Sequence, residues 1–289
     1  MDLYSIRRKN NSSKKGSIFP LVSQLLPDDA APQLDPIGSK FCIFEGDVRD
    51  GVVMVSNKDH AKDIYSGGFF GKGSCSYGEP RFDGASHDRV MQALYGQHTE
   101  ETNHAVESIS GAHVQTNHLQ QTTDCEELIL SAEEAFFLAF GLGVLRVKRS
   151  GNDISLDELY TYLFEQDHQF PLRYSAYHHF RHKGWVVRPG TSLGVDFLLY
   201  KDGPPFTHSS FMVLIRTDED AGNAESDIAL EELTEHRLDV MTRISGSVQK
   251  VLLLCYVLMP PETDLSQPGC LRQMEVCEII TSRWETNKK

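Results

Sequence analysis

A chain of 289 residues that is 40% apolar has material for one or two packed domains, and its formal net charge of −13 is the wrong sign for a stand-alone nucleic-acid binder. No run of about 18 apolar residues occurs, so no membrane-spanning helix is expected. Its six cysteines are widely spaced and form no CxxC pair, which argues against a zinc ribbon or a disulfide framework and fits a reducing compartment.

In chain order, residues 1–40 carry scattered Pro, Asp and Ser and read as a disordered tail. They lack a continuous apolar core after the basic residues, so no secretory signal is expected. The cluster Arg7, Arg8, Lys9, Lys14 and Lys15 reads either as a nuclear address or as a solvated tail. "FCIFEGDVRDGVVMVSN" predicts a β-hairpin, with Asp50-Gly51 as its turn. "KDHAKDIYSGGFFGKGS" predicts a short helix ending near Gly67-Gly68. Its glycines do not meet the phosphate-loop pattern, because Lys72 is followed by Gly73.

Residues 84–125 are polar and contain five histidines at spacings that fit no ligand pair on one helix face. A disordered insertion is expected. Ser131 and Glu134 form a predicted capping box opening an apolar helix, and Ser155 and Glu158 repeat the device. "FPLRYSAYHHFRHKGW" predicts a third helix, with Pro171 at its start and Gly184 past its end. Beyond it, "WVVRP", "VDFLLY", "SFMVLIR" and "QMEVCEIITSRW" read as strands. "QKVLLLCYVLM" reads as a strand buried on both faces, and "IALEELTEHRLDVM" as a helix. The expected organisation is a small N-terminal α/β domain over 41–170, interrupted by the 84–125 linker. A C-terminal domain over 171–289 follows, with a mixed central sheet, so the fold class is α+β or mixed α/β.

Charge is uneven. Residues 171–216 contain Arg173, Arg181, Lys183, Arg188, Lys201 and Arg216 against Asp196 and Asp202. Residues 218–239 carry nine acids against Arg237. The basic stretch is a candidate phosphate-facing region, and the acidic one a candidate face for a basic partner.

The stretch "YKDGPPFTHSS" carries the chemistry. Tyr200 closes an apolar run, a rigid Gly203-Pro204-Pro205 turn follows, and His208 comes after it. Lys250 stands at the mouth of the central apolar strand, an unusual place unless its amine reaches water, an anion or a cleft. Together these three types suit metal-free phosphodiester cleavage. One group takes the proton of a 2′-hydroxyl, one protonates the 5′-oxygen, and one stabilises the phosphorane charge. Histidine is the natural acid and lysine the natural charge stabiliser. An ordinary phenol, with a pKa of about 10, is almost fully protonated at pH 7. Tyr200 therefore reads either as the base or as a group that positions the attacking hydroxyl.

"GVDFLLYKDGPPFTHSSFMVLI", with Lys250 some forty residues on, closely resembles the signature of the tRNA-splicing endonuclease family. "LSAEEAFFLAFGLGVL", "YSAYHHFRHKGW" and "TSRW" resemble its flanking elements. "IYSGGFFGKGSCS" resembles the N-terminal domain of the catalytic subunit that cuts the 5′ splice site. The resemblance covers roughly 41–82 and 126–289. It implies a nuclease domain with a small mixed sheet, and metal-independent cutting of intron-containing pre-tRNA that leaves a 2′,3′-cyclic phosphate and a 5′-hydroxyl. Tyr200 would be general base, His208 general acid and Lys250 stabiliser. Arg243 and Trp284 would clamp a bulged intron nucleotide by cation–π and stacking contact. It further implies a nuclear heterotetramer with a second catalytic and two structural subunits, joined through C-terminal strands such as Glu275 to Trp284. No cofactor, metal or membrane is expected.

Three rivals remain at this stage. A metal-dependent nuclease built on Asp196 needs an acid-x-Lys on the next strand, and "SFMVLIR" contains no acid. A zinc module on His178 and His182 has two ligands at helical spacing but no third. A non-catalytic scaffold subunit of the same complex should lack part of the Tyr–His–Lys set, whereas this chain keeps all of it.

Overall fold

The computed structural model describes residues 44–76, 78–81, 126–217 and 234–281. The expected tail, the 84–125 insertion, most of the acidic stretch and Trp284 lie outside the described residues. Two sheets organise the rest. The first has six strands, in the order Lys72–Gly73, Leu128–Leu130, Val52–Val55, Phe44–Arg49, Leu145–Arg149 and Asn152–Asp153; the second has five, in the order Glu275–Ile280, Val251–Leu258, Phe211–Thr217, Phe197–Tyr200 and Val186–Pro189.

The first sheet starts from the predicted hairpin. β1 (Phe44–Arg49) and β2 (Val52–Val55) pair with Arg49 opposite Val52. Asp50 and Gly51 are left as the turn, both at positive φ (47° and 80°), as a two-residue hairpin loop of this hand requires. α1 (Lys58–Gly68) starts where the Asn57 side chain accepts the N–H groups of Asp59 and His60. It ends at Phe69, which adopts the left-handed conformation with φ 56°. The short β3 (Lys72–Gly73) follows.

Residues 126–153 depart from the expectation of helices alone. β4 (Leu128–Leu130) pairs with β2 and β3, and β5 (Leu145–Arg149) runs parallel to β1 and pairs with β6 (Asn152–Asp153). A three-residue strand carries too few positions for an alternating pattern to be read, and a strand beside a helix with similar residues looks like its continuation. Between them lies α2 (Ala132–Phe136), opened by the predicted capping box, in which Ser131 accepts the Glu134 N–H and Glu134 accepts the Ser131 N–H. The helix then widens into a π-turn over Phe137–Gly141, where Leu142 N–H donates to the Phe137 carbonyl. α3 (Leu156–Gln166) has the second predicted capping box, and α4 (Phe170–His182) carries Pro171 in its first turn as expected.

The second sheet contains β7 (Val186–Pro189), β8 (Phe197–Tyr200), β9 (Phe211–Thr217), β10 (Val251–Leu258) and β11 (Glu275–Ile280). β10 runs parallel to β9 and is covered on both faces, as its continuous apolar run predicts. α5 (Glu235–Ser247) is capped by Thr234, so the described helix takes only the second half of the predicted "IALEELTEHRLDVM" and runs six residues beyond it. Alternation along the strands divides the core. Phe197, Leu199, Val213 and Leu253 face one continuous cluster that includes Phe44, Val53, Phe136 and Tyr177. Leu198, Met212, Leu214, Leu252 and Leu254 face a smaller cluster with Met241 of α5.

The basic stretch does not form the anticipated phosphate-facing surface. Arg173 pairs with Glu133 at 2.7 Å and with Asp196 at 3.4 Å, and Lys183 pairs with Glu278 at 2.6 Å. Arg181, buried, donates to the Gly68 carbonyl and the Tyr177 hydroxyl, both at 2.9 Å, with its guanidinium 4.0 Å over the Phe70 ring. Arg188 donates to the carbonyls of Phe69 (2.7 Å) and Gly71 (2.6 Å). The end of α1 leaves carbonyls without helical donors and has no basic residue in its own last turn. Arginines from the other half of the chain supply them. Asp196 is likewise structural. One oxygen meets Arg173 and the other accepts the Ile215 N–H at 2.8 Å, which removes the support for a metal nuclease built on it.

Two expected outcomes test this arrangement. Arg181→Met leaves the Gly68 carbonyl without its donor, and should lower unfolding free energy by about 2–3 kcal/mol in urea titration. Glu278 of β11 is pulled two ways. Burial raises its carboxyl, and the Lys183 and His179 partners outweigh that and hold it below the ordinary 4.5. A depressed folded-state pKa stabilises above the unfolded value and is lost as pH falls through the folded one. Glu278→Gln should therefore be less stable than the parent at pH 7, and thermal melts of the two should converge as pH drops below 4.5.

Candidate active site

Three strands place the candidate side chains at one end of the second sheet. Leu199 of β8 pairs with Phe211 of β9, and Val251 of β10 pairs with the same Phe211. β8 ends where antiparallel β9 and its parallel neighbour β10 begin. Tyr200, Ser210 and Lys250 thus occupy one row, one step beyond those pairs. The Ser210 N–H donates to the Leu199 carbonyl at 2.8 Å, and the Val251 N–H to the Ser210 carbonyl at 3.0 Å. By alternation Tyr200 and Lys250 share the face that carries Leu198 and Leu252, the face covered by α5. Tyr200 is half-buried and packs against both core clusters.

His208 comes from the turn between β8 and β9. The Gly203 carbonyl accepts the N–H groups of Phe206 and Thr207, each at 3.1 Å, and Pro204 and Pro205 stiffen the span between. Thr207 is fully buried and Ser209 is 5% exposed, yet His208 between them is exposed. The loop is anchored on both sides of the imidazole, which projects outward. The Lys250 amine donates to the Ser209 carbonyl at 3.1 Å, tying the start of β10 to the residue that follows His208. An ammonium, an imidazole and a phenol thus occupy the same strand ends. That set can abstract a proton, return one and hold negative charge.

One residue beside the site, Phe69, was not singled out by local sequence reading. Gly203 has φ 103°, and a Cβ there would lie 2.4 Å from the Phe69 ring. Phe69 also packs edge-on to Phe206, with ring centroids 5.9 Å apart. The glycines around Phe69 marked the segment, but its partner lies more than 130 residues away. Arg243 is exposed on α5, the helix over the Tyr200 and Lys250 face, and the Lys250 N–H donates to the Ser245 carbonyl at that helix's end. Trp284, its expected partner, lies outside the described residues. His178 and His182 stack with centroids 6.5 Å apart along a cavity of about 540 Å³ that includes none of Tyr200, His208 and Lys250.

Comparison with known proteins places both halves of the chain in one family. The family described as tRNA intron endonuclease, N-terminal domain, matches residues 44–160, and the tRNA intron endonuclease catalytic C-terminal domain matches residues 170–265. A tRNA-splicing endonuclease subunit Sen2 from Rattus norvegicus is 38% identical over 167 residues, covering 57% of this chain and 35% of the rat protein. A probable Sen2 subunit from Oryza sativa is 38% identical over 156 residues, covering 54% of this chain and 52% of the rice protein. The SEN2 subunit of Saccharomyces cerevisiae is 38% identical over 138 residues, covering 46% of this chain and 32% of the yeast protein. The chain thus spans about a third to a half of the length of these relatives. With both domain types matched in order, over 44–160 and 170–265, the chain belongs to the tRNA intron endonuclease family.

Proposed function

We propose that this chain is a catalytic subunit of a tRNA-splicing endonuclease and cuts intron-containing pre-tRNA at the 5′ splice site. The observation that carries the reading is the row formed by Tyr200, Ser210 and Lys250, with the Lys250 amine on the Ser209 carbonyl beside His208. Similarity to subunits named tRNA-splicing endonuclease Sen2 supports it. In this reading the phenolate form of Tyr200 takes the proton of the 2′-hydroxyl at the cleavage site and becomes the phenol. The 2′-oxygen attacks the adjacent phosphorus, Lys250 balances the phosphorane charge, and His208 protonates the departing 5′-oxygen. The products are a 2′,3′-cyclic phosphate and a 5′-hydroxyl. Every proton and charge is supplied by side chains, so no cofactor is required.

Further parts of the reading have their own support. Arg243 is exposed on the helix over the site face, where with Trp284 it would clamp a splayed intron base. β11 lies at the edge of its sheet with Ile279 and Ile280 about half exposed, which suits an interface with a partner subunit. Assembly with a second catalytic and two structural subunits would also let an acidic chain act on RNA, because partners would contribute basic surface. The basic cluster near the N-terminus supports a nuclear location.

The test uses the full chain purified with its partner subunits and an intron-containing pre-tRNA in EDTA. Cutting at the 5′ exon–intron boundary is expected, with the 5′ exon ending in a cyclic phosphate. His208→Ala should slow it by about 10²–10⁴-fold, and Lys250→Met by a comparable factor. Undiminished 5′-site cutting by the His208→Ala complex would make this chain a scaffold subunit. Loss of all cutting in EDTA would overturn the metal-free mechanism.

A further inference from the structure

Phe69 belongs to the N-terminal domain match, far in sequence from the Tyr–His–Lys set, and its geometry is unusual. It adopts the left-handed conformation at the end of α1, where glycine is the ordinary choice and two glycines immediately precede it. A bulky residue kept in that conformation needs a compensating contact. Here its backbone is held at both ends. The N–H donates to the Tyr65 carbonyl at 2.7 Å, and the carbonyl accepts from Arg188 at 2.7 Å. Its ring is 5% exposed and lies against Gly203, edge-on to Phe206. Gly203 and Phe206 are the two ends of the turn that presents His208, and the Gly203 carbonyl closes that turn.

We propose that Phe69 is a positioning residue for His208, a fixed stop contributed by the N-terminal domain against which the Gly203–Phe206 turn is seated. Lys250 ties the loop after His208, through the Ser209 carbonyl, and Phe69 holds it before His208. The two restraints meet on either side of the imidazole. An acid displaced by about 1 Å can cost on the order of 10²-fold in rate without touching substrate binding. The proposal rests on the reading of His208 as the general acid, and the experiment separates the two.

Single-turnover cleavage would be measured with the full chain in its complex on two pre-tRNAs, one normal and one with sulfur in place of the bridging 5′-oxygen at the cut. Thiolate departs without protonation, so a defect confined to the acid disappears on the sulfur substrate. His208→Ala should be slow on the oxygen substrate and near parental on the sulfur one. Phe69→Ala should lose about 10–100-fold on oxygen with KM unchanged, and recover on sulfur. Phe69→Met, which keeps apolar bulk, should recover most of the oxygen rate. Phe206→Leu tests the same contact from the loop side and should show the oxygen-specific defect should Phe69→Ala not assemble. Equal slowing of Phe69→Ala on both substrates, or no slowing on oxygen, would overturn the positioning role. A His208→Ala complex unaffected on oxygen, or unrescued by sulfur, would instead overturn the assignment of His208 as acid.

Discussion

The guanidinium of Arg188 is the constraint on which the arrangement of the two sheets depends. It leaves β7 of the second sheet and meets three oxygens of the first half of the chain, the carbonyls of Phe69 and Gly71 and the carboxylate of Glu134. Glu134 is 3% exposed and also closes the capping box on Ser131, so one carboxylate serves both the start of α2 and the contact between halves. Its neighbour Glu133, also buried, pairs with Arg173 but makes no cap. Two acids at a helix N-terminus are favoured by the helix dipole, and two arginines neutralise them in a setting that would otherwise oppose their charge.

This seam accounts for an otherwise puzzling charge pattern. An acidic chain with a locally basic segment invites a surface reading, with phosphate as the partner. The structure shows most of those cations turned inward, onto helix-terminal carbonyls and carboxylates of the same chain. Lys183 and Lys201 are the exposed members of the set, and Lys183 is paired with Glu278.

The second sheet separates stability from chemistry by face and by end. Its larger face packs through α4 into the core shared with the first sheet, with Phe136 in contact with Tyr160, Phe170 and Tyr174. Its other face is covered by α5, and the Tyr200–Ser210–Lys250 row opens at its end. Strand ends are where side chains can leave the packed layer while their backbones stay hydrogen-bonded, so rigid placement and access coexist there. The loop carrying His208 reproduces the principle on a smaller scale, with buried Thr207 and Ser209 flanking an exposed imidazole.

Features that complete themselves within a few residues were legible in the chain before any fold was known. Asp50-Gly51 specifies its turn through two positive φ angles, Ser131 and Ser155 open helices with reciprocal caps, and the apolar run of β10 declares burial on both faces. Tyr200, the Gly203-Pro204-Pro205 turn and His208 carried the family resemblance for the same reason, since they form one short local pattern. The remaining features depend on contacts between distant segments. The strand character of Leu128–Leu130 comes from pairing with β2 and β3, not from three residues' own preference. The parallel register of β9 and β10 sets Lys250 beside Ser209 across about forty residues of chain. The inward role of Arg181 and Arg188, and the Phe69 ring against Gly203, depend on partners more than 100 residues away. A local pattern can state what a residue prefers, but the acceptor or surface that satisfies it exists only once distant segments have packed.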